Sequence, residues 1–239
     1  MVSAAPYEGL PGGVAVSRLT VYDWPAADGV RGGTPHLHLT CSEAYVVTGG
    51  RGAVQTLTAS RYEETPLEPG TVAWFTPGTI HRLVNEGELR VTVLMQNSGL
   101  PEAGDAVLTL PPRFLTDPAT YAAATTLPAD APEAERERAA RARRDLAVEG
   151  FLALRAAEGP EPLAEFHRAA AALVEPRLAG WRERWRRGAG AAAAATGVQL
   201  DRLAAGDAGH LARAAVRAEQ PSERGRFGMC GRLDVYPGG

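Results

Sequence analysis

At about residue 130 the chain changes character, and that change limits the fold more than any single motif. Up to there Val, Thr, Gly and Pro dominate short apolar runs bounded by turn residues, the punctuation of β-strands. Beyond it Ala, Arg, Leu and Glu take over, all strong helix formers. No strand–helix alternation of the kind that builds a parallel sheet is present. The 239 residues suffice for one to two domains at about 150 residues each. The expectation is an α+β chain: a β-barrel over 1–125, a helical region over 131–220 packed on the barrel or on a partner subunit, and an irregular tail over 221–239. Charge divides at the same place. Balances of −6 before residue 131 and +3 after it make up the net −3.

In the first part strands are expected near 14–24, 34–40, 43–48, 52–58, 71–76, 79–84 and 89–96. Gly49–Gly52 reads as a hairpin turn, because glycine reaches positive φ at no steric cost. In the second part a helix is expected over 132–157, with Ala147, Phe151 and Leu154 on one face. A second, over 162–187, carries the stripe Leu163, Phe166, Ala170, Leu173, Leu178, Trp181 and Trp185, with a kink at Pro176. A third stretch, 197–218, is broken at Gly206–Asp207, and the alanine run before it can extend a helix.

Composition removes several functions. The chain has no lysine, so all 25 of its basic side chains are arginine. Schiff-base enzymes and P-loop nucleotidases, which depend on lysine, are excluded. Two cysteines, Cys41 and Cys230, exclude a disulfide scaffold and suit a reducing compartment. No run of about 18 apolar residues is present to span a membrane. Met1–Pro11 lacks the basic start and apolar core of a leader. The expected location is cytoplasmic. The arginine run 182–187 is read as complementing a helix C-terminus rather than as a nucleic-acid contact, because no paired helix-turn-helix accompanies it.

Chemistry concentrates in the first part. His36 and His38 stand two apart, so on a strand both imidazoles project from one face. A short turn would return Glu43 beside them, and His81 follows a Pro-Gly turn on another expected strand. Three imidazole nitrogens and one carboxylate oxygen suit a borderline divalent ion such as Fe, Mn, Ni, Cu or Zn. An ion preferring six ligands keeps positions for substrate, water or dioxygen. His167 and His210 flank apolar stripes and are read as structural.

The spacing resembles the cupin family. Its first motif is matched by His36-Leu37-His38, four residues, Glu43, six residues and Gly50. Its second is matched by Gly70, five residues, Thr76-Pro77-Gly78, two residues, His81, three residues and Asn85. Thr76 stands where the family has proline. The resemblance implies a jelly-roll barrel, with His36, His38, Glu43 and His81 as ligands to one divalent transition metal. It leaves the reaction open, because cupins include dioxygenases, isomerases, decarboxylases and ligand-sensing modules, and a fold does not specify a function.

Alternation from these ligands places Thr34, Thr40, Tyr45, Thr79 and Leu83 in a substrate pocket. Tyr45 is the candidate catalytic side chain, because a phenol beside a metal can donate to a bound oxygen. Leu37, Leu39 and Cys41 share the opposite face and need a cover. Since small cupins often pair, a homodimer is expected, with Cys41 as a buried small hydrophobe. The functional expectation is a metal-dependent enzyme of dioxygenase or sugar-isomerase type acting on a small oxygenated metabolite. The alternative is a non-catalytic module that binds a sugar-like molecule. Neither nucleic acid nor membrane is an expected partner.

Overall fold

The computed structural model describes residues 9–237. Residues 1–8, on which most of the leader reading rests, and residues 238–239 at the end of the expected tail lie outside them.

Two long strands organise the barrel. β3 (Glu43–Leu57) and β6 (Ile80–Met95) pair antiparallel along their whole length, from Glu43 opposite Met95 to Leu57 opposite Ile80. Their register slips in the middle, and the two halves of each strand have different outer partners, which divides the sheet into two parts. In one part the first half of β3 and the second half of β6 lie between β5 (Val72–Phe75) and β1 (Ala15–Val21). In the other, the remaining halves lie between β4 (Tyr62–Leu67) and the short β2 (His36–His38), and β2 in turn pairs with β7 (Ala106–Leu108).

The continuity of β3 corrects one expectation. Gly49–Gly52 is not a hairpin turn; β3 runs through it, and the register slips between Val47 and Gly52. Gly50 takes a φ of 69° there, and a β-carbon on Gly52 would collide with the Val84 carbonyl. The glycines are needed for close approach at a corner rather than for chain reversal. Strands expected separately at 79–84 and 89–96 are likewise one strand. Asn85 holds the corner of β6. Its carbonyl oxygen accepts from the backbone N–H groups of Gly87 and Leu89, while its amide donates to the carbonyls of Val21 and Tyr22.

The tail supplies a second correction. Residues 223–235 are not irregular. β8 (Glu223–Phe227) and β9 (Gly231–Val235) form a hairpin, and β9 pairs with β1 from Ser17 opposite Val235 to Val21 opposite Gly231. Short, arginine-rich strands carry little apolar alternation, so the pairing is set by the free edge of β1 rather than by local pattern.

The helices are α1 (Pro118–Thr125), α2 (Glu133–Ala156), α3 (Glu161–Val174), α4 (Leu178–Arg187) and α5 (Ala189–Ala204). A 3₁₀ turn containing Pro176 separates α3 from α4. The alanine run extends α5. Phe151, Leu163, Phe166, Ala170, Leu173 and Trp181 are buried in one continuous apolar core with Leu37, Cys41 and Leu110. Leu178 and Trp185, also on the expected stripe, stay 46% exposed, and on α4 the core is reached by Trp181. Polar bonds tie the layers together. Thr109 donates to the Ala147 carbonyl at 2.8 Å, Trp181 to the Ala103 carbonyl at 3.2 Å, and Arg144 to the carbonyls of Trp24 and Pro25. α2 approaches so closely that a β-carbon on Gly150 would strike the Thr109 carbonyl. No helix among the described residues is long and apolar enough to cross a membrane.

Candidate metal centre

Four side chains converge inside the barrel. β2 presents His36 and His38, β3 opens on Glu43, and His81 on β6 is the backbone partner of His36. One donor atom from each lies within 4.8 Å of the others, and all four residues are buried. The Nε2 atoms of His36 and His81 are 3.1 Å apart. Glu43 Oε2 lies 3.0 Å from His81 Nε2 and 3.3 Å from His38 Nε2.

What stands behind the rings decides which nitrogen faces inward. His36 Nδ1 is 2.8 Å from the Thr34 carbonyl, and His81 Nδ1 is 3.1 Å from the Thr79 carbonyl. A carbonyl oxygen only accepts, so each ring carries its proton on Nδ1 and turns the Nε2 lone pair to the centre. Two facing lone pairs have no hydrogen to share. Glu43 Oε2 has no hydrogen bond of acceptable geometry although it is fully enclosed. Inward lone pairs around an unpartnered buried carboxylate oxygen are the donor set a divalent cation requires. The residues fit such an ion.

Burial and the neighbouring charges shift His36, His38 and Glu43 in different directions. Burial, with the charges of His81 and His38, holds His36 well below the ordinary histidine value. His38 goes the other way. Burial opposes its charge, but Asp105 and Glu43 raise it to about 9. For Glu43 burial again opposes the charge, yet His81 and His38 keep it well below the ordinary carboxylate range.

A cavity of about 150 Å³ opens on the cluster. Its wall includes His36, His38, Glu43, Tyr45, Leu19, Val93 and Met95. Tyr45 is 0% exposed, and its hydroxyl has no hydrogen-bond partner among the described residues. Burial first, then the charge of Glu43, pushes that phenol well above its ordinary value, so it stays protonated. Phe75 packs on His81 with ring centres 4.2 Å apart and on Tyr45 at 5.4 Å. Trp74, its neighbour, points away and is 72% exposed.

The other expected pocket residues are not in this wall. Thr34 donates its hydroxyl to the Met229 carbonyl at 2.7 Å, Thr40 donates to Asp105 at 2.6 Å, and Leu83 is buried in the core. Thr79 borders a separate open groove between β4 and β5. Of the residues that alternation placed together, Tyr45 lines the cavity, while the hydroxyls of Thr34 and Thr40 are taken by nearby acceptors. Thr34 and Thr79 serve the site through their carbonyls instead. Sequence reasoning missed Asp105, which lies behind His38, and the hairpin residues Arg226, Met229, Cys230, Leu233 and Val235, which line the same cavity. Nothing local marks them, because they lie far from the ligands along the chain.

The cupin-domain family profile matches residues 27–96. That segment contains all four converging side chains and both corner residues, Gly50 and Asn85. The barrel is a cupin. No curated protein matches the sequence. Among solved structures the cupin is similar to a Streptomyces nucleoside dehydratase, at 16% identity over 43% of this chain and 72% of that one, with a TM-score of 0.32. It is similar to the TDP-quinovose 3,4-ketoisomerase of Campylobacter jejuni at 13% identity over 35% and 60%, TM-score 0.28. It is similar to the Drosophila melanogaster CENP-C cupin domain at 14% identity over 35% and 58%, TM-score 0.27. In its match to a uridine-bound form of the Streptomyces protein, this chain spans 64% of that chain's length.

Proposed function

We propose that this cupin is a metal-dependent enzyme acting on a small oxygenated metabolite, with His36, His38, Glu43 and His81 as the ligands of one divalent transition metal. The observation that carries the reading is the convergence of four buried donor side chains, with the unpartnered Glu43 Oε2 among them, on a cavity that Tyr45 also lines. An unsatisfied buried polar atom costs roughly 1–3 kcal/mol, a cost that a group arriving in the cavity removes. The cavity of about 150 Å³ is below the usual several hundred Å³ of pockets for larger ligands. A compact substrate of few non-hydrogen atoms suits it.

The chemistry that a cation supplies in such a site is Lewis acidity toward a substrate oxygen, with one-electron chemistry where it is iron or copper. The chain supplies the rest. Tyr45, held neutral, donates its hydrogen to a substrate oxygen in the cavity and so orients it. Leu19, Val93, Met95 and Leu233 make the wall apolar, and an apolar surrounding strengthens that bond. The carbonyls of Thr34 and Thr79 hold two of the imidazoles in one tautomer, so no reorganisation is required when a ligand binds.

The test is metal analysis of the purified chain followed by assays against small hydroxy, oxo and carboxylate compounds. Oxygen uptake with Fe(II), or isomerisation with Mn(II) or Zn(II), is expected, with Tyr45→Phe lowering turnover by about 100–1000-fold. Tight binding of a sugar-like compound without turnover under any of these metals would replace the enzyme with a binding module.

A further inference from the structure

His38 differs from the other two imidazoles in what stands behind it. His36 and His81 each lean on a neutral carbonyl two residues earlier in the chain. Behind His38 is Asp105, 0% exposed, with its Oδ2 3.1 Å from His38 Nδ1. The other oxygen of Asp105, Oδ1, accepts from the backbone N–H of Thr40 at 2.8 Å and from its hydroxyl at 2.6 Å. This carboxylate comes from the turn Pro101–Asp105, beyond the segment 27–96 that matches the cupin domain.

We propose that Asp105 is a positioning residue of the metal centre, which holds the ring proton of His38 on Nδ1 and keeps Nε2 as a donor facing the cation. The inference rests on reading the four-residue cluster as a metal site. Its chemistry is that of a histidine oriented by a carboxylate, which fixes the tautomer and makes the ring a better donor. Charge balance supports the same role. A dication against Glu43 alone leaves a net positive charge in a buried site, and uncompensated buried charge is costly. Asp105 supplies the second negative charge one ring away. It is pinned there by Thr40, so its orientation does not depend on the cation.

Asp105→Asn gives a specific test. The two donors of Thr40 require an acceptor at the Oδ1 position, so the amide nitrogen must occupy the position facing His38. That nitrogen donates to Nδ1 and drives the ring proton onto Nε2, the metal-facing atom. Titration of the full chain with Co(II), followed by visible absorption, should show affinity about 10–100-fold weaker in Asp105→Asn than in the wild type. A purely structural role would lower the melting temperature of the metal-free chain and leave the Co(II) Kd unchanged; that result in a folded variant overturns the proposal. Where Asp105→Asn does not fold, ¹⁵N NMR of the Zn(II)-loaded wild type decides. The ring proton of His38 is expected on Nδ1, and a His38 that binds zinc through Nδ1, or not at all, overturns the proposal. A wild-type chain that takes up no Co(II) removes the metal reading and this inference together. A wild type that binds Co(II) while Asp105→Asn binds equally well removes this inference alone.

Discussion

The hydroxyl of Thr34 donates to the backbone carbonyl of Met229 at 2.7 Å, joining residues 195 positions apart. The same carbonyl accepts the backbone N–H of Thr34 at 3.1 Å. Thr34 lies just before the strand that carries His36 and His38, and Met229 lies in the turn of the C-terminal hairpin. Thus the last strands of the chain are bonded to the strand that presents the site, and Met229, Cys230 and Leu233 close one wall of its cavity.

Removal of that hairpin should therefore damage the barrel. A chain ending at Gln220 uncovers the edge of β1 and loses the burial of Phe227, Cys230 and Leu233. At about 1.5–3 kcal/mol for each large apolar side chain, the loss is a large part of a domain's typical stability of about 5–15 kcal/mol. Calorimetry should show a lower and broader melting transition, together with weaker metal uptake. A melting temperature equal to that of the full chain would show that the hairpin is an ornament.

Metal content should depend on the imidazoles themselves. The wild type is expected to hold about one divalent ion per chain. The double variant His36→Ala, His38→Ala should hold almost none, because both inward nitrogens of β2 are gone. Elemental analysis checks this directly, and full occupancy in the double variant would assign the ion to other groups.

Stability should fall on the alkaline side. Burial raises Cys230 from 9.0 to about 12 and Tyr22 from 10.0 to about 12; burial also raises Cys41. In the unfolded chain these groups release their protons at ordinary pH values, while in the fold they keep them. The unfolded state then binds fewer protons, so stability decreases as pH rises from 9 toward 12, by up to about 1.4 kcal/mol per unit for each group. Denaturant midpoints measured from pH 8 to 11 should decline, and Cys230→Ala should make the decline shallower. Identical slopes in the two proteins would remove Cys230 from this account.

The helical layer should be inseparable from the barrel in melting experiments. Phe166 is buried in the core cluster that includes Leu37 of β2. Phe166→Asp places a carboxylate there without a partner, at a cost of at least about 3 kcal/mol. One transition at a lower temperature is expected. Two separate transitions, with the barrel unchanged, would make the helices an independent appendage.

The four converging side chains were legible because their signal is local. His36 and His38 share a strand face by the two-residue period of β-structure, and the spacings to Glu43 and His81 are those of the two cupin motifs. Helices α2 and α3 were legible for a similar reason, since the three-to-four-residue recurrence of Ala147 and Phe151, or of Leu163 and Phe166, is a property of the segment alone. Gly50 and Gly52 were visible as glycines, yet one segment allows either a hairpin or a corner. The facing carbonyls of Glu88 and Val84, which belong to another strand, select the corner. Asp105 and Cys230 could not be placed from their neighbours in sequence. Asp105 reaches His38 only after the turn at 101–105 folds back on β2, and Cys230 reaches the cavity only after β9 finds the open edge of β1. Local periodicity thus determined which residues could share a face and ligate a metal. Tertiary pairing decided what stands behind those side chains and what closes the cavity over them, because hydrogen bonds between distant strands carry no signature in the residues beside them.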